Sequence, residues 1–268
     1  MKSRWSMIVA LGLLLGVTRA SIAADLPTLY IIGDSTVKNG SGKGADGLWG
    51  WGDPIAAHFD AAKIKVVNRA LGGRSSRTYL TEGLWAKVLG DMKAGDFVLM
   101  QFGHNDGGSL TQGRGRASIK GNGEETQDVT DDKTGKKETV HTYGWYMRKY
   151  IADAKAKGAT AIVLSQIPRN MWKGEKVLRA SNDYGKWAAE AAKDQSAPFI
   201  DLNELIAARY EAMGEEKVKA FFPGDHTHTN QAGAKLNAAI LVEGIKGLKD
   251  CPLRDFLSAT PPAQGKDN

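Results

Sequence analysis

The stretch Leu29-Tyr30-Ile31-Ile32-Gly33-Asp34-Ser35-Thr36 sets four apolar residues directly before a glycine and three small polar side chains. A short apolar run that ends this sharply reads as a buried strand followed by a turn. In open α/β sheets, ligands are presented at the C-terminal end of such a strand. A serine there is a nucleophile if a base can reach it. If none can, it is a turn residue or a helix cap, the commoner use of an Asp-Ser pair.

Outward from this segment the pattern recurs. Residues 64–68, 97–102, 161–165 and 198–202 are further strand-like runs, and helical patterns occupy 54–59, 83–92, 146–157, 181–192, 202–213 and 231–248. Strand and helix alternating in this way predict an α/β fold, a parallel sheet covered by helices on both faces. Strands buried on both sides explain continuous apolar runs in place of alternation. Residues 107–142 are rich in glycine and charge and lack apolar periodicity. A loop this long inside a domain is functional or disordered, and its start beside Gly103-His104-Asn105-Asp106 predicts that it borders a site. Gly135 marks a hairpin tip.

The chain ends read differently from the body. Residues 1–24 carry Lys2 and Arg4, an apolar core at 7–17, and the small residues Ser21-Ile22-Ala23-Ala24, the layout of a secretory signal peptide. The apolar core is short for a membrane span, and no stop-transfer segment follows. The expected protein is secreted or periplasmic, without a membrane partner after cleavage. One domain then runs over 25–258, and the polar, Pro-containing residues 259–268 form a disordered tail. Cleavage removes Lys2, Arg4 and Arg19 and no acid, leaving 33 bases against 30 acids. That surplus of three does not support a nucleic-acid partner, which demands a concentrated basic face. Cys251 is the only cysteine, so no intramolecular disulfide forms and stability rests on the core. About 244 residues suffice for one sizeable α/β domain.

Four segments at strand ends or in loops carry the parts of an acyl-transfer site. Ser35 is the candidate nucleophile and His228 the candidate base, although spacing alone does not separate His228 from His226. Asp225, three residues before His228, orients the imidazole. The oxyanion donors are the Ser35 N–H, the Gly73 N–H and the Asn105 side-chain amide. Taken singly, each segment has a plainer use: a cap for Ser35, a turn for Gly72-Gly73, a polar loop start for His104-Asn105-Asp106. His226 and His228 could also hold a metal. With five histidines in all and no His-x-x-x-His pair to complete a zinc site, metal is the minority reading.

Gly33-Asp34-Ser35-Thr36, Gly47-Leu48-Trp49-Gly50, Gly73-Arg74-Ser75-Ser76-Arg77, the run Phe102 through Leu110 and Phe222-Pro223-Gly224-Asp225-His226-Thr227-His228, in this order, resemble the SGNH (GDSL) hydrolase superfamily. Within it the chain is similar to the rhamnogalacturonan acetylesterase group of carbohydrate esterases. The resemblance implies a single-domain, three-layer α/β/α sandwich, flavodoxin-like, with a five-stranded parallel sheet. It places the nucleophile on Ser35, oxyanion donors on Gly73 and Asn105, and the acid and base on Asp225 and His228, choosing His228 over His226. It also implies an exported serine esterase that removes O-acetyl groups from plant cell-wall polysaccharide. Rhamnogalacturonan or pectin comes first as substrate, and acetylated xylan or simple ester and lipid substrates are the alternative. No metal or other cofactor is expected. The partner is the acetylated polysaccharide or oligosaccharide, and the chain is expected to act as a monomer.

For the sugar, Trp49, Trp51, Trp145 and Trp172 lie near strand ends or the long loop, where rings can stack on pyranose faces. Arg74, Arg77, Arg114 and Arg116 could meet uronate carboxylates, which suit guanidinium forks. Of these, Arg74, Trp49 and Trp145 are the candidate substrate-binding residues. Arg114 and Arg116 read first as a solvated rim.

Overall fold

The computed structural model describes residues 25–40 and 44–260; the expected signal peptide and residues 261–268 of the expected tail lie outside the described residues. β1 (Thr28–Gly33) is followed by a short 3-10 segment (Pro54–His58) and β2 (Lys65–Asn68), then α1 (Ser76–Thr81), α2 (Leu84–Asp91) and β3 (Phe97–Gln101). The antiparallel pair β4 (Thr126–Thr130) and β5 (Lys137–His141) precedes α3 (Tyr143–Ala156) and β6 (Thr160–Leu164). A two-residue pair, β7 (Trp172–Lys173) and β8 (Lys176–Val177), leads to α4 (Tyr184–Asp194) and β9 (Phe199–Ile200). The chain closes with α5 (Leu202–Met213), α6 (Glu215–Lys219), α7 (Gln231–Gly247) and a second 3-10 segment (Pro252–Phe256).

Five strands form one parallel sheet in the order β2-β1-β3-β6-β9. Alternate side chains point to opposite faces. Leu29, Ile31, Leu99, Ile162 and Leu164 pack with Ile206, Tyr210, Leu241 and Ile245 of α5 and α7. Tyr30, Ile32, Val98, Met100 and Val163 pack with Tyr79, Trp85, Met147, Tyr150 and Ala188 of α1 to α4. The three layers follow from this: the central strands β1 and β3 are buried at every position, so their apolar runs are continuous, while edge strand β2 stays partly exposed. Chain order reverses between β1 and β3, whose ends pair as Gly33↔Gln101. At such a switch point the crevice outside the carboxyl ends is open to a ligand.

The structure departs from the sequence expectations at element ends and in short pieces. α3 begins at Tyr143, three residues earlier than the pattern suggested, because the Thr142 hydroxyl accepts the Trp145 N–H and caps it. α1 was not expected; at six residues it is too short to show periodicity, and a Ser75–Thr78 capping box starts it. β9 has only two residues, so the last expected strand is mostly loop and helix cap. Within the long segment 107–142, residues 126–141 fold into the β4–β5 hairpin, with Gly135 in the turn at a φ of 66°. It is anchored where the Ser118 N–H donates to Asp106 O and the Tyr143 N–H to Ile119 O.

Candidate active site

The turn after β1 is built around two residues that flank the serine. A β-carbon at Gly33 would lie 2.5 Å from Val37 Cγ2 and 2.6 Å from Gln101 O, so only glycine lets β1 turn against β3. No helix follows. The Asp34 carboxylate instead accepts the Thr36 N–H at 2.8 Å and the Thr36 hydroxyl at 2.7 Å, closing an Asx turn with Ser35 at its apex. Beneath it, Gln101 Nε2 donates to Thr36 Oγ1 (2.7 Å) and Trp51 Nε1 donates to Gln101 Oε1 (2.8 Å). This buried chain explains a glutamine at the end of an apolar strand. It also corrects Trp51, which is 0% exposed and holds up the turn rather than a sugar. Burial pushes the Asp34 carboxyl up to about 6, against the Thr36 hydrogen bonds that favour the anion.

Ser35 Oγ lies 2.8 Å from His228 Nε2, and His228 Nδ1 lies 2.7 Å from Asp225 Oδ2. The other Asp225 oxygen accepts the Thr227 N–H at 2.6 Å and the His228 N–H at 2.8 Å, so one carboxylate shapes the loop and orients the ring. Partial burial works against ionisation of Asp225, but the hydrogen bonds from His228 and Thr227 outweigh it and take its pKa down to about 2. His226 is exposed and its carbonyl accepts the Asn170 N–H, so of the two histidines the fold brings His228 to the serine.

The third part of the crevice comes from the loops after β2 and β3. A β-carbon at Gly72 would sit 3.4 Å from Ser35 Cβ, which places this loop directly against the serine. Gly73 next to it has a φ of 79°, a left-handed conformation suited to glycine. Among the described residues, neither the Ser35 nor the Gly73 N–H donates a hydrogen bond. Asn105 Nδ2 donates to Arg74 O at 2.9 Å. An amide nitrogen carries two hydrogens, so this bond fixes the amide plane and leaves the second hydrogen available.

Behind the loops, Asp106 ties the assembly together. It is fully buried and accepts the Ser76 N–H, the Ser76 hydroxyl (2.5 Å) and the Ser118 hydroxyl (3.0 Å). Burial, helped by the nearby charge of Asp34, raises its pKa to about 6, against the serine hydrogen bonds. The adjacent His104 has both ring nitrogens buried without a partner among the described residues, and burial lowers its pKa to about 3. No group of three or more His, Cys, Asp or Glu side chains arranged to hold a metal occurs among the described residues.

The candidate sugar-binding residues fare unevenly. Trp49 stands beside the site: its N–H donates to Thr229 O at 2.7 Å and its carbonyl accepts the Thr229 hydroxyl, one residue from His228. Trp145 lies on the first turn of α3, stacked flat on His141 with centroids 3.7 Å apart. Trp172 packs on the core and bonds Asn170 Oδ1. Arg77 is 2% exposed and forks Glu138, donating also to Leu110 O and Ala117 O, so it is a structural clamp on the long segment. Arg74 pairs with Glu82 at 2.9 Å at the rim of the crevice. Sequence reasoning missed Arg169, whose Nε donates to Thr227 Oγ1 inside the Asp225–His228 loop. A lone arginine after a strand gives no sequence signal of this.

The GDSL-like Lipase/Acylhydrolase family model matches residues 31–236, from inside β1 into α7, which takes in the serine, the loops after β2 and β3 and the Asp225–His228 loop. The chain belongs to this family. It is 35% identical over 233 residues to a rhamnogalacturonan acetylesterase of Emericella nidulans, covering 87% of this chain and 90% of that one. A protein named probable rhamnogalacturonan acetylesterase YesY, from Bacillus subtilis, is 31% identical over 225 residues, 82% of this chain and 93% of that one. Among solved structures, the YxiM protein of Bacillus subtilis superposes with a TM-score of 0.66 at 26% identity, over 82% of this chain; the match spans 56% of that protein's chain. An acetylxylan esterase from Geobacillus stearothermophilus shares the fold at a TM-score of 0.51 and 18% identity, over 83% of this chain and 95% of that one.

Proposed function

We infer that the protein is an exported serine esterase that removes O-acetyl groups from plant cell-wall polysaccharide, with rhamnogalacturonan as the preferred backbone. The observation that carries the chemistry is the continuous Ser35–His228–Asp225 chain, at 2.8 and 2.7 Å, at the switch point of the sheet. Ser35 Oγ attacks the acetyl carbonyl carbon while His228 Nε2 takes the hydroxyl proton. Charge gathers on the carbonyl oxygen, facing the Ser35 and Gly73 N–H groups and the Asn105 amide. Collapse breaks the bond to the sugar oxygen, which receives the proton from His228 and leaves as the free hydroxyl. Water, deprotonated by His228, then releases acetate from Ser35.

The names of the Emericella nidulans and YesY relatives favour rhamnogalacturonan over xylan. The polar β4–β5 hairpin beside the site does not offer the apolar acyl groove that a lipase needs. Export rests on the N-terminal 24 residues, and mass spectrometry of the mature protein should place its first residue at or near Asp25. The activity is tested by acetate release from acetylated rhamnogalacturonan, galacturonan and xylan. Release should be fastest from the first and fall to background in Ser35→Ala. Full activity of that variant would remove Ser35 as nucleophile, and faster release from xylan would overturn the substrate assignment.

A further inference from the structure

A cavity of about 530 Å³ opens next to the oxyanion loop, between Gly73 and Arg74 on one side and the tip of the β4–β5 hairpin on the other. Four cationic side chains line it, Arg74, Arg114, Arg116 and Lys133, against the two acids Glu82 and Asp131. The cations are not equivalent. Arg74 Nε is held by Glu82 and its Nη1 donates to Gly72 O at 3.0 Å, so this guanidinium is occupied within the fold. Arg116 Nη1 donates to Gly73 O at 2.9 Å and braces the loop. Asp131 is likewise committed: its Oδ1 accepts the Lys133 and Thr134 N–H groups and the Thr134 hydroxyl, forming the hairpin turn.

Arg114 and Lys133 remain. Both are exposed, and neither has a carboxylate within 4.0 Å of its charged nitrogens among the described residues. A β-carbon at Gly73 would lie 3.1 Å from Arg114 Nη1 and 3.5 Å from Arg116 Nη1, so two guanidiniums crowd over one face of the oxyanion glycine. Burial first, and the charge of Arg114 second, lower the Arg116 pKa against the pull of Asp34 and Asp106. Cations gathered in a concave site with a surplus over the local acids favour a planar anion, which guanidinium groups bind in paired hydrogen bonds.

We propose that this cavity is a subsite for the carboxylate of a uronate sugar in the acetylated chain, bound by Arg114 and Lys133 with Arg116 holding the loop. The proposal rests on the esterase reading above and assigns the charge preference of that site. A carboxylate docked here lies against Gly73, so the same loop that polarises the acetyl group also registers the acidic sugar along the crevice.

The test uses aryl acetate hydrolysis by the full-length mature protein, inhibited by galacturonate trimers or by the same trimers reduced at their carboxyl groups. The acidic trimer should inhibit about tenfold more strongly, the effect of one charge-assisted contact. That ratio should fall toward one in an Arg114→Gln, Lys133→Gln double variant and shrink as salt is raised. It should persist in Lys65→Gln, at the opposite end of the sheet. Equal inhibition of wild type by both trimers overturns the subsite, as does an unchanged ratio in the double variant. Absence of aryl acetate hydrolysis overturns the esterase reading instead, and titration calorimetry with the two trimers then still reads the subsite.

Discussion

Replacing Asp225 by asparagine isolates what the acid does, because the structure decides how the new amide must point. Asp225 Oδ1 accepts two backbone N–H groups, from Thr227 at 2.6 Å and His228 at 2.8 Å. In Asp225→Asn those donors keep the amide oxygen facing them. The amide NH2 then faces His228 Nδ1, which must become an acceptor, and the ring proton moves to Nε2. A protonated Nε2 2.8 Å from Ser35 Oγ cannot take the serine proton. A full inversion of this kind costs about 10⁴ in kcat. Here Asp225 is 43% exposed and His228 26%, so water competes for Nδ1, and a loss of about 10³ is expected with little change in KM. Asp225→Ala removes the charge without imposing the wrong tautomer, and its loss should be smaller, about 10². Steady-state hydrolysis of an aryl acetate measures both. Asparagine retaining as much activity as alanine, or more, would refute the tautomer argument.

Three further outcomes follow from the geometry. Asn105→Ala removes one of the proposed oxyanion donors and should lower kcat by about 10² to 10³ while leaving KM nearly unchanged, measured by acetate release at saturation. Asp106→Asn tests the buried carboxyl. Its pKa is about 6 when folded and near 3.8 when unfolded, so between pH 4 and 6 the folded state holds a proton that the unfolded state has lost. Wild-type stability relative to the neutral variant therefore declines as pH rises through that window, by about 3 kcal/mol at most, and levels off above pH 7. Urea midpoints at pH 4.5 and 7.5 read this, and a difference independent of pH would sink it. Arg77→Met leaves Glu138 half-buried without its partner and should destabilise the fold by about 3 kcal/mol, seen in thermal unfolding.

The parallel sheet was legible because its central strands are buried on both faces, which leaves unbroken runs such as Leu29–Ile32 in the chain. The turn after β1 was legible as a place but not as a mechanism. Its Asx turn depends on Asp34 folding back two residues, and its support depends on Gln101 and Trp51, which lie 65 and 50 positions away from their partners Thr36 and Gln101. Helix starts at Tyr143 and Ser76 escaped notice because a cap is one or two local hydrogen bonds, which leave no periodic trace.

The sequence alone determined the set of reactive residue types, their attachment to strand ends and the order in which they meet the chain, since local pattern fixes these. Only the tertiary structure decided which of them touch. It brought Ser35 to His228 across 193 positions, sent Trp51 and Arg77 inward, and left Arg114 and Lys133 open beside Gly73. Arginines at 74, 77, 114 and 116 look alike in a chain, because a guanidinium's role is set by the acid or carbonyl that folding places within reach.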